Sequence, residues 1–231
     1  MSKPVSDQGG VIDKYIDTMV MAFWGPPFTS EADHALRACY AALDQLSKLE
    51  EVRRLVAGFV GTDVDVSPLG LHIGLSTGPL VVGNMGSEHA RSYTVLGDTV
   101  NIASRLKGAS KQYGAQNLTT EDTRNQVGKR IESREIDLIQ VVGKEDPVRV
   151  FELLGRTGET DSDTLVLRDA FEQGLAAYRG LQWDQAMRHF EACLEIHAAD
   201  APALEYVNRV CHLRDNPPDN TWDGVWRLTH K

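Results

Sequence analysis

Asn101 and Arg105 lie four residues apart in the run Arg-Ser-Tyr-Thr-Val-Leu-Gly-Asp-Thr-Val-Asn-Ile-Ala-Ser-Arg at 91–105. On a helix that spacing projects both side chains from one face. A guanidinium offers fixed paired donors to phosphoryl oxygens, and an amide can orient a sugar or a leaving group. Together they suit a phosphate ester. Taken alone, the same two residues are also what a solvated helix surface carries. The elements that must position them are legible around them. Residues 93–96 are aromatic and β-branched, as in a strand, and Gly97-Asp98 breaks the run. Asp98 or Thr99 is placed to cap the helix that follows, where Val100, Ala103 and Leu106 form an apolar stripe.

The remaining chain supplies a frame of alternating strands and helices. Residues 1–10 are polar and end in Gly9-Gly10, so little independent structure is expected there. Residues 11–25 read as a hairpin turning near Asp17-Thr18 and stopped by Pro26-Pro27. Residues 31–56 carry Ala35, Leu36, Cys39, Ala42, Leu43, Leu46 and Leu49 at three-to-four spacing, a long amphipathic helix. A second hairpin is expected over 69–86 with Gly78-Pro79 at its bend, its glycines permitting close backbone approach. Residues 107–132 continue the helix begun near Asp98 and add a short second one. Residues 138–154 read as a terminal pair of strands.

Residues 155–163 are a linker by composition. Beyond it, 165–179 and 183–197 form two amphipathic helices in which Gly174, Tyr178, Ala186, Phe190, Cys193 and Pro202 fall near the spacing of a tetratricopeptide unit. A third helix covers 203–214. One such unit cannot close a solenoid core, so it is expected to dock on the rest of the chain or on a partner. Trp222 and Trp226 in the tail are expected to pack back onto these helices.

At 231 residues the chain can bury a sizeable core. A formal charge of -9 with no basic tract argues against nucleic acid as a partner. The three cysteines, Cys39, Cys193 and Cys211, show neither a disulfide framework nor a zinc spacing, which fits a reducing cytoplasm. No signal peptide is visible, and the apolar run 20–24 is too short to span a bilayer.

The run 91–105 closely resembles the signature of class III nucleotidyl cyclases, the enzymes that turn ATP or GTP into the cyclic 3',5'-monophosphate. Residues 11–25 resemble that family's hairpin Asp-Lys-Tyr-Ile-Gly-Asp, and 69–86 and 138–154 have counterparts in family order. The resemblance implies an α+β, ferredoxin-like nucleotidyl cyclase domain over 1–155, of the bacterial adenylate type and N-terminally truncated, followed by a small all-α tetratricopeptide-like extension over 164–231. It gives Asn101 and Arg105 the stabilisation of the transition state. Lys14 matches the lysine that bonds the purine ring, and Thr94 the residue that accepts from the adenine amino group. Lys144 matches a lysine on the triphosphate. Other readings stand beside these: Lys14 as a lysine snorkelling at a strand edge, and Thr94 as an ordinary β-branched strand residue.

Two departures from the family concern Mg2+ or Mn2+. The metal-holding Gly-Asp of its hairpin is Asp17-Thr18 here, and a neutral hydroxyl is a poor ligand for a hard cation. Asp17, one residue early, is the remaining candidate ligand, beside its reading as a solvated turn residue. Upstream, the family's strand with a further metal aspartate has no counterpart, which suggests a shortened product or a chain that relies on a second one. The resemblance therefore implies an adenylate cyclase acting in intracellular signalling on ATP. This chain would give the base-reading and transition-state half of a site shared in a homodimer, or in a heterodimer with a metal-bearing cyclase domain. The alternatives are a catalytically inactive nucleotide-binding or regulatory module, and a scaffold whose helical tail holds a protein partner.

Overall fold

The computed structural model describes residues 1–60, 65–66, 69–88, 91–140, 146–219 and 222–227. A short helix α1 (Ser2–Asp7) precedes the antiparallel hairpin β1 (Val11–Ile16) and β2 (Met19–Phe23). The expectation of little structure before residue 11 is corrected: Pro4 and Val5 are buried, and Gln8 donates to Asp44, so apolar anchoring orders the start. The helix read over 31–56 is two helices, α2 (His34–Ser47) and α3 (Leu49–Val60), divided at Lys48.

The second hairpin is differently made from the one expected. β3 (Ile73–Leu75) pairs in parallel with β6 (Asn117–Thr120), whereas β4 (Val81–Gly86) pairs antiparallel with β5 (Arg91–Leu96). Gly78-Pro79 is thus a crossing between sheets, not a bend between paired neighbours. β5 leads through Gly97 into α4 (Asp98–Tyr113). The helix expected to continue past residue 113 ends at Gly114 in the left-handed conformation, and β6 follows. β6 is Asn-Leu-Thr-Thr with every residue buried, so it carries no apolar alternation to read.

After α5 (Glu121–Val127) and a 3-10 turn, β7 (Ile131–Gln140) and β8 (Val148–Arg156) complete an antiparallel pair. β7 begins seven residues earlier than the pattern suggested. The five-stranded order is β3-β6-β8-β7-β9, with β9 (Trp226–Arg227) parallel to β7. Three helices, α6 (Ser162–Arg179), α7 (Trp183–Ile196) and α8 (Ala201–Asp215), pack beside this sheet. Asp161 and Asp200 cap α6 and α8 through their side chains.

Strand alternation divides the core in two. On β3, Ile73 and Leu75 pack toward Ala35, Cys39 and Ala42 of α2, while Gly74 faces α4. A Cβ at Gly74 would stand 2.0 Å from the Ala103 carbonyl oxygen and 2.5 Å from the Lys107 nitrogen, so only glycine admits this helix so close. The larger core joins Leu106 and Tyr113 of α4, Ile136, Ile139 and Val150 of the sheet, and Phe171, Phe190 and Tyr206 of the three C-terminal helices. Trp222 folds back against Tyr178 and Trp183. Among the described residues no helix is long and apolar enough to cross a membrane.

Candidate active site

α4 starts where Gly97 takes φ 152° and ψ 166°, with the Pro79 carbonyl oxygen and the Leu80 Cα each 3.3 Å from where a Cβ would be. Glycine is required there by both conformation and space. Neither expected cap forms: Asp98 occupies the first turn, favourable to the helix dipole, and the Thr99 hydroxyl donates to the Pro79 carbonyl at 2.9 Å. That bond ties the helix start to the segment between β3 and β4.

Asn101 is exposed one turn into α4. Arg105, one turn further, is half-buried, and its Nη1 is shielded from solvent with no hydrogen-bond partner among the described residues. A guanidinium nitrogen left without water or a protein acceptor is costly unless something else meets it. Lys107 reaches the first hairpin, its Nζ donating to Met19 Sδ at 3.5 Å, which sets α4 against β2.

Lys14 and Thr94, eighty residues apart in sequence, meet directly. The Lys14 ammonium donates to the Thr94 hydroxyl oxygen at 2.9 Å, across the gap between β1 and β5. The Thr94 hydroxyl in turn donates to Asp13 Oδ2 at 2.7 Å, and Asp13 Oδ1 lies 3.6 Å from the Lys14 nitrogen. The Asp13 side chain is 0% exposed, whereas that of Lys14 is 38% exposed and so faces outward from the group.

Asp13 was absent from the sequence reading. β1 has a register irregularity between Ile12 and Lys14: Ile12 pairs with Ala22 and Lys14 with Met21, leaving Asp13 as the extra residue. A bulge suspends the alternation that would send neighbours to opposite faces, so consecutive residues can serve one cluster. The signal for Asp13 in the sequence is its place at the head of the hairpin motif, next to Lys14.

Asp17 sits exposed at the hairpin turn with φ 54°. Among the described residues no group of three His, Cys, Asp or Glu side chains could hold a metal ion. Asp13, the other carboxylate of the hairpin, is closed off by Thr94 and Lys14. The described residues of this chain therefore do not by themselves fit a Mg2+ or Mn2+ site, and Asp17 is the one exposed carboxylate on the first hairpin. Lys144 lies outside the described residues.

A sequence profile of the adenylate and guanylate cyclase catalytic domain matches residues 13–155. An adenylate cyclase, terminal-differentiation specific, from Dictyostelium discoideum is 30% identical over 210 residues, covering 89% of this chain and 9% of that protein. An adenylate cyclase of Anabaena cylindrica is 33% identical over 156 residues, covering 66% of this chain and 30% of that protein. The chain thus spans less than a third of either relative. A soluble guanylate cyclase of Drosophila melanogaster is 32% identical over 144 residues, covering 62% of this chain and 19% of its own length. Among solved structures, the adenylyl cyclase CyaB from P. aeruginosa superposes with a TM-score of 0.61 at 27% identity, over 69% of this chain and 79% of that one.

Proposed function

Because the chain belongs to the adenylate and guanylate cyclase catalytic-domain family, we propose that it contributes the base-reading and transition-state half of an adenylate cyclase site, converting ATP to cyclic AMP and pyrophosphate together with a second, metal-bearing cyclase domain. The observation that carries this reading is the direct bond between Lys14 and Thr94, the latter on the strand that leads into the helix holding Asn101 and Arg105. With adenine seated there, Lys14 donates to a ring nitrogen and Thr94 accepts from the amino group.

The ribose 3'-hydroxyl attacks the α-phosphorus, the new ester bond forms as the hydroxyl loses its proton, and the bond to the pyrophosphate breaks. Arg105 meets the charge on the phosphoryl oxygens, and its unpartnered Nη1 is available for that contact. Asn101 holds the ribose, and Lys144 neutralises the triphosphate. Members of this family depend on Mg2+ or Mn2+; since the described residues offer no such site, no step is assigned to a metal on this chain. Cyclase domains act as dimers, and apolar Tyr15, Ile16, Val81, Tyr93 and Leu96 stand exposed on the two hairpins, where a second domain would cover them.

In this reading the catalytic domain occupies 1–155, and 164–231 is a tetratricopeptide-like extension docked on it. Support for the docking is the shared core of α4, the sheet and the three C-terminal helices. A second reading, an inactive nucleotide-binding or regulatory module, is favoured by Thr18, which stands where the family's metal-binding aspartate is expected. Mixing this chain with an intact cyclase domain whose own Asn and Arg have been replaced distinguishes the two. Cyclic AMP from the mixture, lost on Arg105→Ala, supports the half-site; a silent mixture in which the chain still binds ATP supports the inactive module.

A further inference from the structure

Asp13 stands behind the bonded pair of Lys14 and Thr94, and its placement decides what the pair can display. A lysine ammonium has donors only, so the Thr94 oxygen must accept from it. A carboxylate accepts, so the single Thr94 proton is committed to Asp13 Oδ2 at 2.7 Å. What Thr94 can still offer outward is a lone pair. We infer that Asp13 sets the base preference of this site by holding the Thr94 hydroxyl proton, so that Thr94 accepts from the six-position amino group of adenine and cannot donate to the six-position carbonyl of guanine.

This inference rests on the proposed seating of the base against Lys14 and Thr94, and it names a positioning residue that itself touches no substrate. Several features of Asp13 fit the role. Its side chain is wholly buried, so no water competes for the Thr94 proton. Its second oxygen lies 3.6 Å from the Lys14 nitrogen and has no hydrogen-bond partner among the described residues, so the carboxylate holds both displayed groups at once. The bulge that makes Asp13 the unpaired residue of β1 is what lets it share a side with Lys14. Without this acceptor a threonine hydroxyl rotates and can donate or accept, and it would then serve either purine.

The test measures ATP and GTP binding to the full chain by competition against one fluorescent ATP analogue, with folding checked by urea unfolding. The unaltered chain is expected to prefer ATP. In Asp13→Asn the amide can turn its donors toward Thr94 and release the hydroxyl proton, so the preference should fall about tenfold, the size of one reversed hydrogen bond, chiefly through tighter GTP binding. Asp13→Ala removes the acceptor outright and reaches the same result by a second route. Thr94→Val, which leaves Asp13 in place, should lose the preference through weaker ATP binding. A chain that prefers ATP and keeps that preference in these variants overturns the role of Asp13. Equal losses for both nucleotides in the Asp13 variants do so too, since they would mark a purely structural group. An unaltered chain with no preference at all would instead remove the base-reading assignment itself, and the inference with it.

Discussion

Arg209 of α8 donates from Nη1 to Asp137 Oδ2 of β7 at 2.6 Å, with the two side chains 3% and 1% exposed. The same carboxylate oxygen accepts the Tyr113 hydroxyl of α4 at 2.6 Å, and the Arg209 guanidinium lies over the Tyr113 and Tyr206 rings. One buried carboxylate thus joins the last helix, the sheet and the helix that carries Asn101 and Arg105. Burial and the nearby Asp137 charge push the Tyr113 phenol well above its ordinary value, which keeps it a donor in this network.

Removing that carboxylate takes the acceptor from the buried Tyr113 hydroxyl and from Arg209 Nη1, while Glu205 still accepts from Arg209 Nε, so Asp137→Ala should destabilise the chain by about 1–3 kcal/mol for each buried donor left unsatisfied. Because the network ties α4 and α8 to the sheet within the larger core, urea unfolding followed by tryptophan fluorescence and by far-UV dichroism should move together. A loss under about 1 kcal/mol, or two separated transitions, would show that the C-terminal helices are not held to the sheet by this contact.

His72 gives a pH dependence with a definite sign. Its Nδ1 lies 3.1 Å from Ser110 Oγ and 3.2 Å from the Ala115 carbonyl oxygen. Burial chiefly, with Lys111 and Lys107 nearby, holds the imidazole below its ordinary value, while the Ala115 carbonyl works the other way. Between the folded and the unfolded value the unfolded chain binds more protons, so this group makes stability rise with pH and fall on acidification below about 6.5. His72→Asn removes that slope. The difference in urea midpoint between the unaltered chain and the variant should therefore change between about pH 7.5 and about pH 5.5. A constant difference would show that His72 titrates alike in both states.

The C-terminal helices and the site-bearing strand–turn–helix were legible in the sequence because their apolar periods are long, whereas α1 and the break at Lys48 were not. Of the stripe expected on α4, Leu106 is buried while Val100 and Ala103 are half-buried, and the fully buried face runs instead through Ile102, Leu106, Ala109 and Tyr113. β6 was not legible, since it buries polar residues where an apolar alternation would be sought: Asn117 exchanges bonds with the Leu153 backbone in both directions, and the Thr120 side chain caps α5 by accepting from the Thr123 N–H. The pairing of β3 was misread for a related reason, because three residues cannot declare their neighbour. At the site, Lys14 and Thr94 were found through family resemblance, and nothing local to either one announces that they touch. Asp13 stayed hidden because strand alternation assigns it to the other face, and only the bulge returns it.

The cysteines should divide sharply by reactivity. Cys39 is fully buried and Cys193 is buried against the Leu167 carbonyl; burial pushes each thiol up to about 12. Cys211 is exposed on α8. Since the thiolate is the reactive form, a maleimide in excess should label Cys211 quickly in the native protein, with Cys39 and Cys193 reacting only after urea is added. Mass spectrometry of the native reaction giving a second fast adduct would contradict the packing of α2 or of α7.

Gly74→Ala tests how rigidly α4 is seated. The added methyl meets the Ala103 carbonyl and the Lys107 amide, which are backbone atoms inside a helix and cannot swing aside as a side chain would. Relief requires α4 to move off β3, and overpacking of this kind costs about 1–3 kcal/mol. The displacement would also carry Asn101 and Arg105, whose helix passes over that strand, while Lys14 and Thr94 lie on other strands and keep their bond. The variant should therefore keep its preference between ATP and GTP in the binding competition, yet lose most of its cyclic AMP formation when mixed with the complementary domain. Unchanged stability would mean that the helix is not pressed on this strand, and a lost base preference would mean that the two halves of the site do not move independently.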